Sequence, residues 1–429
     1  MIGIEPILNR VFRNTMTSFM KMEDVSGGVV RPFAHAPDKD HLLYIHIPFC
    51  ESLCPYCSFH RCEYEKALAE RYYKALRCEI NLYREHGFRF NAAYIGGGTP
   101  TVQMDLLLDL LSYLKSDHRL QEISVETNPN HITRTHMSQM RDAGVTRLSV
   151  GVQSFDDNIL HHIGRLEKYG SSEMIQEHLA SAIGIIGTLN VDLIFNIPIQ
   201  SDISLENDLK IIQSLKPDQV TFYPLMTAPS VERTLNQMLG PIDYRKEQRQ
   251  YKQIVNRLSE SYRPSTAWCF SRTKGAIDEY ILDHDQYVGV GSGSFGFFNQ
   301  TLHINTFSLD NYIEKLSRYE LPISQIKSFK ARELQYYCLL RRLFGLRVES
   351  EKLILELEAS GLGHLQWVLT ALKMGGAIEE FEGYFKLTLK GMYIWVMAMR
   401  EFFIAVDTLR DQFRFLPNIP GCSAIDHSH

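Results

Sequence analysis

Three closely spaced cysteines are the residues whose types and spacing point most directly to chemistry. Cys50, Cys54 and Cys57 form a C-x3-C-x2-C run directly after an apolar stretch predicted to be a β-strand. One loop with this spacing can bring three thiolates to a single metal ion or iron–sulfur cluster. Three ligands on a cuboidal 4Fe–4S cluster leave one iron open to a substrate or cofactor. A zinc site and three unrelated thiols are the alternatives.

The other cysteines indicate the compartment. Cys62 follows the trio closely and is interpreted as a bystander thiol, with a catalytic or redox role as the alternative. The remaining four are dispersed at Cys78, Cys269, Cys338 and Cys422. Clustering of this kind favours a metal site in a reducing cytoplasm over a secreted disulfide framework.

A glycine-rich turn and three isolated polar residues interrupt apolar segments further along the chain. The run Gly-Gly-Gly-Thr-Pro at residues 96–100 lets the backbone approach a ligand, or serves only a tight turn. Glu126, Gln153 and Asp192 each lie in or at the end of a predicted strand. Because buried polar groups need partners, the three together indicate a ring that lines a pocket. For Glu126 the alternative is a solvated acid in a turn.

The elements that must position these residues alternate between strand and helix from residue 42 onward. The predicted strands cover residues 42–47, 91–95, 121–126, 147–150, 190–195 and 219–223. The predicted helices between them cover residues 63–86, 103–115, 133–143, 157–163, 172–183 and 205–215. This alternation predicts a parallel sheet with right-handed crossovers. Most of the polar motifs fall at or near the carboxyl ends of its strands, where barrel enzymes place their chemistry.

The cysteine motif resembles that of the radical S-adenosylmethionine (SAM) superfamily. Its wider context, Tyr-Ile-His-Ile-Pro-Phe-Cys at residues 44–50, is similar to the oxygen-independent coproporphyrinogen III oxidase family, which includes related heme chaperones. The resemblance implies an α/β fold, with an open (β/α)6 partial TIM-like barrel and a C-terminal, mostly helical, winged-helix-like domain. It also implies a 4Fe–4S cluster on Cys50, Cys54 and Cys57, whose open iron chelates SAM. An electron from the cluster would cleave SAM to a 5′-deoxyadenosyl radical.

The resemblance carries over a set of SAM-binding residues. They are Tyr44, Tyr56, Gly97, Gly98, Thr99, Glu126, Gln153, Arg165 and Asp192. Arg165 is suited to clamp the methionyl carboxylate with two parallel hydrogen bonds. The two tyrosines are expected to flank the cluster and the cofactor. One SAM molecule is expected, and a second is left open.

The chain is predicted to divide into five parts. Residues 1–40 form an N-terminal extension with one amphipathic helix over residues 7–22, which in the resembling family can lie across the mouth of the active site. Residues 41–230 are the barrel, and residues 231–325 complete the active site. Residues 326–415 form the winged-helix-like domain, and residues 416–429 a disordered tail. The winged-helix-like domain contains an acidic hairpin at residues 377–388, which favours a role as a substrate-covering lid over DNA binding.

Composition excludes several classes. The 429 residues are 45% hydrophobic, with a net charge of −5, as in an ordinary globular protein. No basic excess points to nucleic acid, and no apolar run is long enough for a membrane span. The N-terminal residues do not resemble a signal peptide. We expect a cytoplasmic monomer that receives electrons from a flavodoxin or ferredoxin.

The sequence also departs from both well-known branches of the resembling family. Residues 276–281, Ala-Ile-Asp-Glu-Tyr-Ile, match neither the oxidase nor the chaperone motif, and residues 265–272 indicate a distinct subfamily. The first substrate class to expect is a tetrapyrrole, with oxidative decarboxylation of propionates as the founding reaction. The alternatives are a radical SAM methyltransferase or heme-ring-opening enzyme that uses two SAM molecules, and a non-catalytic heme chaperone.

Overall fold

The structure is a computed structural model that describes residues 5–28, 40–116, 119–272, 284–358 and 364–414. Three regions singled out in the sequence fall wholly or partly outside this range. They are the subfamily motif at residues 276–281, residues 29–39 of the N-terminal extension, and the tail at residues 416–429.

Eighteen strands lie in the described residues. They are β1 (Glu23–Asp24), β2 (His41–Ile47), β3 (Phe49–Cys50), β4 (Cys62–Glu63), β5 (Phe90–Gly97), β6 (Glu122–Thr127), β7 (Arg147–Gln153), β8 (Thr188–Phe195), β9 (Gln219–Pro224), β10 (Arg263–Pro264), β11 (Cys269–Ser271), β12 (Tyr287–Val290), β13 (Phe295–Phe298), β14 (Thr301–Asn305), β15 (Ile323–Ser328), β16 (Arg347–Glu349), β17 (Ile378–Phe381) and β18 (Tyr384–Leu387).

Fifteen α-helices lie in the same residues. They are α1 (Glu5–Phe19), α2 (Lys66–Glu85), α3 (Met104–Lys115), α4 (Arg134–Asp142), α5 (Asp157–His162), α6 (Leu166–Tyr169), α7 (Ser172–Ala182), α8 (Asp202–Leu215), α9 (Pro229–Leu239), α10 (Tyr244–Leu258), α11 (Leu309–Ser317), α12 (Ala331–Phe344), α13 (Ser350–Glu358), α14 (His364–Met374) and α15 (Leu389–Arg414). None of them is both long and apolar enough to cross a membrane.

Six parallel strands form the middle of one large sheet. Strands β2, β5, β6, β7, β8 and β9 are neighbours in chain order, and each pair is parallel. Helices connect them, as expected for right-handed crossovers. Their inward apolar residues are fully buried, for example Leu43, Val125 and Val191. The predicted α/β fold with six repeats is confirmed, and so is a largely helical C-terminal region.

The sheet continues past the six repeats on both sides. On one side β12 pairs in parallel with β2, and β13, β14, β15 and β1 follow as antiparallel neighbours. On the other side β11 and β10 extend β9. The two-residue strand β1 brings the N-terminal segment to the outer edge, where Glu23 pairs with Ile326.

The C-terminal region contains a small sheet and four helices. The predicted hairpin is present as β17 and β18, and its turn residues Glu382 and Gly383 have positive φ angles of 50° and 78°. This turn geometry joins antiparallel strands without splaying them. The sequence prediction missed β16, which pairs with β18, and also missed the helices α6 and α9. Strand β16 has only three residues and no apolar alternation.

Candidate active site

A cavity of about 370 Å³ opens at the carboxyl ends of the parallel strands. Every residue that the sequence singled out for the cluster or for SAM lines it. These are Tyr44, Cys50, Cys54, Tyr56, Cys57, Gly97, Gly98, Thr99, Glu126, Gln153, Arg165 and Asp192. Residues from six elements and three loops therefore meet at one place, although their roles there stay predictions.

The cysteine loop is held against the glycine-rich turn. The Thr99 amide donates to the Phe49 carbonyl over 2.8 Å, and the Thr99 hydroxyl donates to the Cys50 sulfur over 3.6 Å. Cys50, Cys54 and Cys57 are free thiols, and burial raises the pKa of Cys50 to about 12. Within the described ranges, no three His, Cys, Asp or Glu side chains are grouped as ligands of a metal ion.

Each glycine of the turn is needed because another part of the site occupies the space of a side chain. A Cβ on Gly96 would lie 2.6 Å from the Glu126 carboxyl carbon. A Cβ on Gly97, whose φ is +114°, would lie 2.6 Å from the His46 ring. A Cβ on Gly98 would lie 2.7 Å from the Phe49 carbonyl oxygen and 3.0 Å from the Cys50 sulfur. The run therefore serves the close packing of three site elements, not only a tight turn.

The two carboxylates of the predicted ring accept hydrogen bonds from neutral donors. Glu126 accepts from the Tyr94 hydroxyl over 2.8 Å and from the Gly97 amide over 3.0 Å. The hydroxyl partner expected for Glu126 is therefore present. Asp192 accepts from the Ser149 hydroxyl over 2.7 Å and from the side-chain amide of Asn190 over 2.8 Å. Both acids are only half-buried, so each also faces the cavity.

Gln153 lies where the register between β7 and β8 shifts. Its φ of +76° is unusual for a residue with a side chain. The sequence predicts that this strand ends at Val150, but in the structure β7 continues to Gln153. The irregular backbone changes the direction of the Gln153 side chain, which lines the cavity. Its amide nitrogen packs against Gly151, only 2.9 Å from where a Cβ on that glycine would lie.

Arg165 is a buried cation, only 4% exposed. It donates to the Asn128 side chain over 2.9 Å, to the Tyr56 hydroxyl over 3.2 Å, and to the Gly151 carbonyl. It also lies 3.9 Å from the Cys54 sulfur. Its Nε atom is buried without a partner, and within the described residues Arg165 forms no ion pair. A buried guanidinium with neutral partners and a free donor can receive an anionic ligand.

The two tyrosines of the predicted site both line the cavity, and Tyr56 lies within the cysteine loop itself. His46 donates from Nε2 to the His60 carbonyl over 2.8 Å, so its Nδ1 accepts from the Tyr44 hydroxyl over 2.9 Å. Burial lowers the pKa of His46 to about 4, which keeps this ring neutral. The Tyr56 hydroxyl accepts a hydrogen bond from Arg165 over 3.2 Å.

The far wall of the cavity comes from regions that the sequence analysis expected near the active site, residues 231–325 and 326–415, but its individual residues were not named from sequence. One face of α15 supplies Phe402, Phe403, Val406, Asp407 and Arg410. The sheet extension supplies Tyr287, Phe295 and Leu302, and α12 supplies Tyr337. The sequence analysis placed the lid in the winged-helix-like domain of residues 326–415, at its acidic hairpin, whereas the lining residues of that domain lie on α12 and α15. An acid and a base three residues apart within the apolar stripe of α15 were the signal that was available.

The N-terminal segment also reaches the cavity. Helix α1 ends at Phe19, and Met20 just beyond it is buried and lines the site. No residue of α13, α14 or the hairpin is among the described residues that line it. The far wall of this cavity therefore combines α15, α12, the sheet extension and the residue that follows the N-terminal helix.

The residues present fit an iron–sulfur cluster and SAM. The three predicted cluster ligands line one cavity, and the absence of a side chain at Gly98 leaves the space beside the Cys50 sulfur open. The unpartnered Nε of Arg165 offers a donor for a carboxylate. Glu126 and Asp192 offer acceptors for ammonium or hydroxyl groups.

Comparison with known proteins defines the class. Residues 44–212 match the model of the radical SAM superfamily. The chain therefore contains a radical SAM domain, which covers the cysteine loop, the glycine-rich turn and the strand-end residues.

Its relatives are heme chaperones and oxygen-independent coproporphyrinogen III oxidases. The heme chaperone HemW of Bacillus subtilis is 28% identical over 81% of this chain and 95% of its own length. The oxygen-independent coproporphyrinogen III oxidase of Bradyrhizobium diazoefficiens is 26% identical over 81% of this chain and 68% of its own length. The crystallised coproporphyrinogen III oxidase HemN of Escherichia coli shares the fold, with a TM-score of 0.72 and 20% identity over 86% of this chain and 91% of its own.

Proposed function

We propose that this chain is a radical SAM enzyme in which Cys50, Cys54 and Cys57 hold a 4Fe–4S cluster. The observation that carries the proposal is the convergence of all twelve sequence-predicted residues on one cavity. When bound, the cluster supplies the electron that cleaves SAM and so provides a 5′-deoxyadenosyl radical for hydrogen abstraction. The protein that donates electrons to the cluster is a flavodoxin or ferredoxin of the cytoplasm.

The chain's own residues bind and orient SAM in this proposal. Arg165 holds the methionyl carboxylate with its free donor, and the backbone of Gly97 and Gly98 lies against the amino-acid end. Glu126 and Asp192 accept hydrogen bonds from the polar groups of SAM, and Gln153 is aimed at the same space. Aromatic and apolar side chains from α15 and the sheet extension exclude water from the reactive species.

The far half of the cavity is the proposed substrate chamber. Its walls are mainly aromatic and apolar, and they include Tyr223, Phe295, Tyr337 and Phe402. Its cation is Arg410, since the other two arginines that line the cavity, Arg61 and Arg165, lie beside the cysteines. Arg410 is itself paired with the carboxylate of Asp407 over 2.5 Å. This lining suits a flat, largely apolar small molecule whose polar group meets that ion pair. A tetrapyrrole is the first class to test, because the relatives act on or carry tetrapyrroles.

A heme chaperone is the second candidate. The observation in its favour is the likeness to the chaperone HemW over 95% of the length of that protein. Heme would then be carried without hydrogen abstraction. The two functions share the cluster and the cavity, and they differ in whether SAM is consumed.

The test is anaerobic cluster reconstitution, followed by addition of SAM and dithionite with and without porphyrin or heme. We expect about four iron and four sulfide per chain, and 5′-deoxyadenosine as the nucleoside product. Cys54→Ala should lose the cluster absorbance and the product, whereas the matched control Cys62→Ala should keep both. Iron-free, zinc-loaded protein would overturn the proposal.

Two other results of the same experiment distinguish the alternative functions. S-adenosylhomocysteine beside 5′-deoxyadenosine would indicate the branch that uses two SAM molecules. Stoichiometric heme binding without any nucleoside product would indicate the chaperone.

A further inference from the structure

Arg61 lies at the end of the cysteine loop and folds back over it. Its Nη2 donates to the Cys54 carbonyl over 2.5 Å and to the Cys57 carbonyl over 2.9 Å. Two of the three predicted cluster ligands are therefore tied through their backbone to the same guanidinium. These two bonds fix the position of the cation beside the loop and prevent it from turning towards solvent.

The rest of this guanidinium has no partner. Both Nε and Nη1 of Arg61 are buried atoms without a hydrogen bond. Within the described residues Arg61 forms no salt bridge, and it lines the same cavity as the three cysteines. Arg61 is half-buried, but two of its three guanidinium nitrogens are shielded from solvent, which is costly for a cation unless negative charge lies nearby. The negative charge that this position offers is the three thiolates and the cluster they would hold.

A second arginine grips the next part of the loop but differs in kind. Arg414, at the end of α15, donates to the Ser58 carbonyl over 3.0 Å and to the Phe59 carbonyl over 3.2 Å. It does not line the cavity. Arg414 also carries a charge that interacts with Cys57, but of these two arginines only Arg61 lines the cavity, and its charge interacts with all three cysteines.

A fixed positive charge next to an iron–sulfur cluster has a defined effect. Reduction adds one negative charge, so a nearby cation stabilises the reduced form more than the oxidised form and raises the reduction potential. The interaction falls with distance and is strongest where solvent is excluded. We propose that Arg61 is a positioning residue that sets the charge of the cysteine loop and raises the reduction potential of the cluster. This inference rests on the cluster of the proposed function.

The test is a dye-mediated redox titration of the reconstituted full chain, followed by electron paramagnetic resonance of the reduced cluster. Arg61→Gln keeps an amide donor for the loop carbonyls but removes the charge. At the parent's midpoint potential we expect its ratio of reduced to oxidised cluster to fall about tenfold, which corresponds to 59 mV for one electron. Arg61→Lys keeps the charge and should stay close to the parent. Arg249→Gln, at an exposed ion pair with Asp202, is the control.

Each outcome decides the matter. Parent-like midpoints in both Arg61 variants, or an equal fall in both, would overturn the assignment of charge to Arg61. If Arg61→Gln folds by circular dichroism but takes up no iron, iron uptake by Arg61→Lys supports the inference and its failure overturns it. A parent protein that holds no iron and sulfide would instead overturn the proposed function, and that measurement comes first.

Discussion

At the cofactor end of the cavity, the described hydrogen-bond partners of the buried cation Arg165 are all neutral groups. Arg165 uses a side-chain amide, a tyrosine hydroxyl and a carbonyl oxygen. It also lies 4.1 Å from the centre of the Tyr169 ring. Such contacts orient a guanidinium without neutralising it, so its charge stays available to a ligand. Glu126 and Asp192 likewise accept hydrogen bonds from hydroxyl and amide groups.

Replacing Arg165 with methionine should therefore weaken SAM binding more than it weakens the fold. We expect at least about a tenfold loss of SAM affinity, because a charged hydrogen bond contributes about 1.5–3 kcal/mol. Equilibrium dialysis of SAM with the reconstituted protein measures the change. Arg165→Lys should recover only part of it, since an ammonium cannot keep the bonds of the guanidinium to Asn128, Tyr56 and Gly151 and also present a donor at the position of Nε.

The control for this variant is Arg249→Met, which removes an exposed arginine of the barrel surface. An unchanged SAM affinity in Arg165→Met, with normal iron content, would show that Arg165 serves the loop alone.

Helix α2 locks the glycine-rich turn after β12 to the barrel. Its residue Glu79 is fully buried and accepts from the Tyr312 hydroxyl over 2.6 Å, the Asn305 amide over 2.7 Å and the Gly291 amide over 2.8 Å. Its neighbour Tyr72 accepts from the Ser292 amide over 2.9 Å. One helix of the barrel thus fixes β12, β14 and α11, and with them one wall of the substrate chamber.

Glu79 should also make stability depend on pH. Burial raises the pKa of Glu79 to about 7, against the hydrogen bonds that favour its charged form. Because the folded state binds the proton more tightly than the unfolded state, the contribution is full below about pH 4.5 and is lost as the pH rises through 7. The shift corresponds to about 3 kcal/mol at 1.36 kcal/mol per pH unit.

Glu79→Gln removes this titration. We expect its stability relative to the parent to improve from pH 5 to pH 8, measured by urea unfolding at each pH. Glu85→Gln, on the exposed end of the same helix, is the control and should show no such trend. A difference between Glu79→Gln and the parent that is constant with pH would contradict the assignment.

Contacts between distant parts of the chain hold the whole molecule together. Features that arise from local patterns could be predicted from the sequence, whereas features that depend on these distant contacts could not. The six central strands and the cysteine loop follow from local patterns, namely short apolar runs and a glycine-rich turn. Strand β1 has two charged residues and forms only because β15, 300 residues later, offers an edge. In the same way, Arg410 of α15 packs between the rings of Phe59 and Phe295, 4.8 and 5.3 Å away. Nothing in the sequence near Arg410 indicates those partners.

The deepest of these long-range contacts joins α1, α10 and α15. Arg400 is buried together with Glu247 and Glu401, with 0–1% of each side chain exposed. It donates to Glu247, to Glu401 over 3.1 Å and to Asn9 over 2.6 Å. Arg13 of α1 then pairs with Glu401 over 2.8 Å. Two acids and two bases thus balance at the point where both ends of the described chain meet the barrel.

Removing the central cation should destabilise the whole structure. Arg400→Met leaves Glu247 buried with hydroxyl and amide partners but no cation, and we expect a loss of about 3–5 kcal/mol of unfolding free energy at pH 8. The loss should shrink towards pH 5, because the orphaned carboxyl is then neutralised at lower cost. Arg13→Met, at a side chain that is 55% exposed, should cost less than about 1 kcal/mol. Urea unfolding of both variants at the two pH values measures this, and equal losses in both would show that Arg400 does not carry the junction.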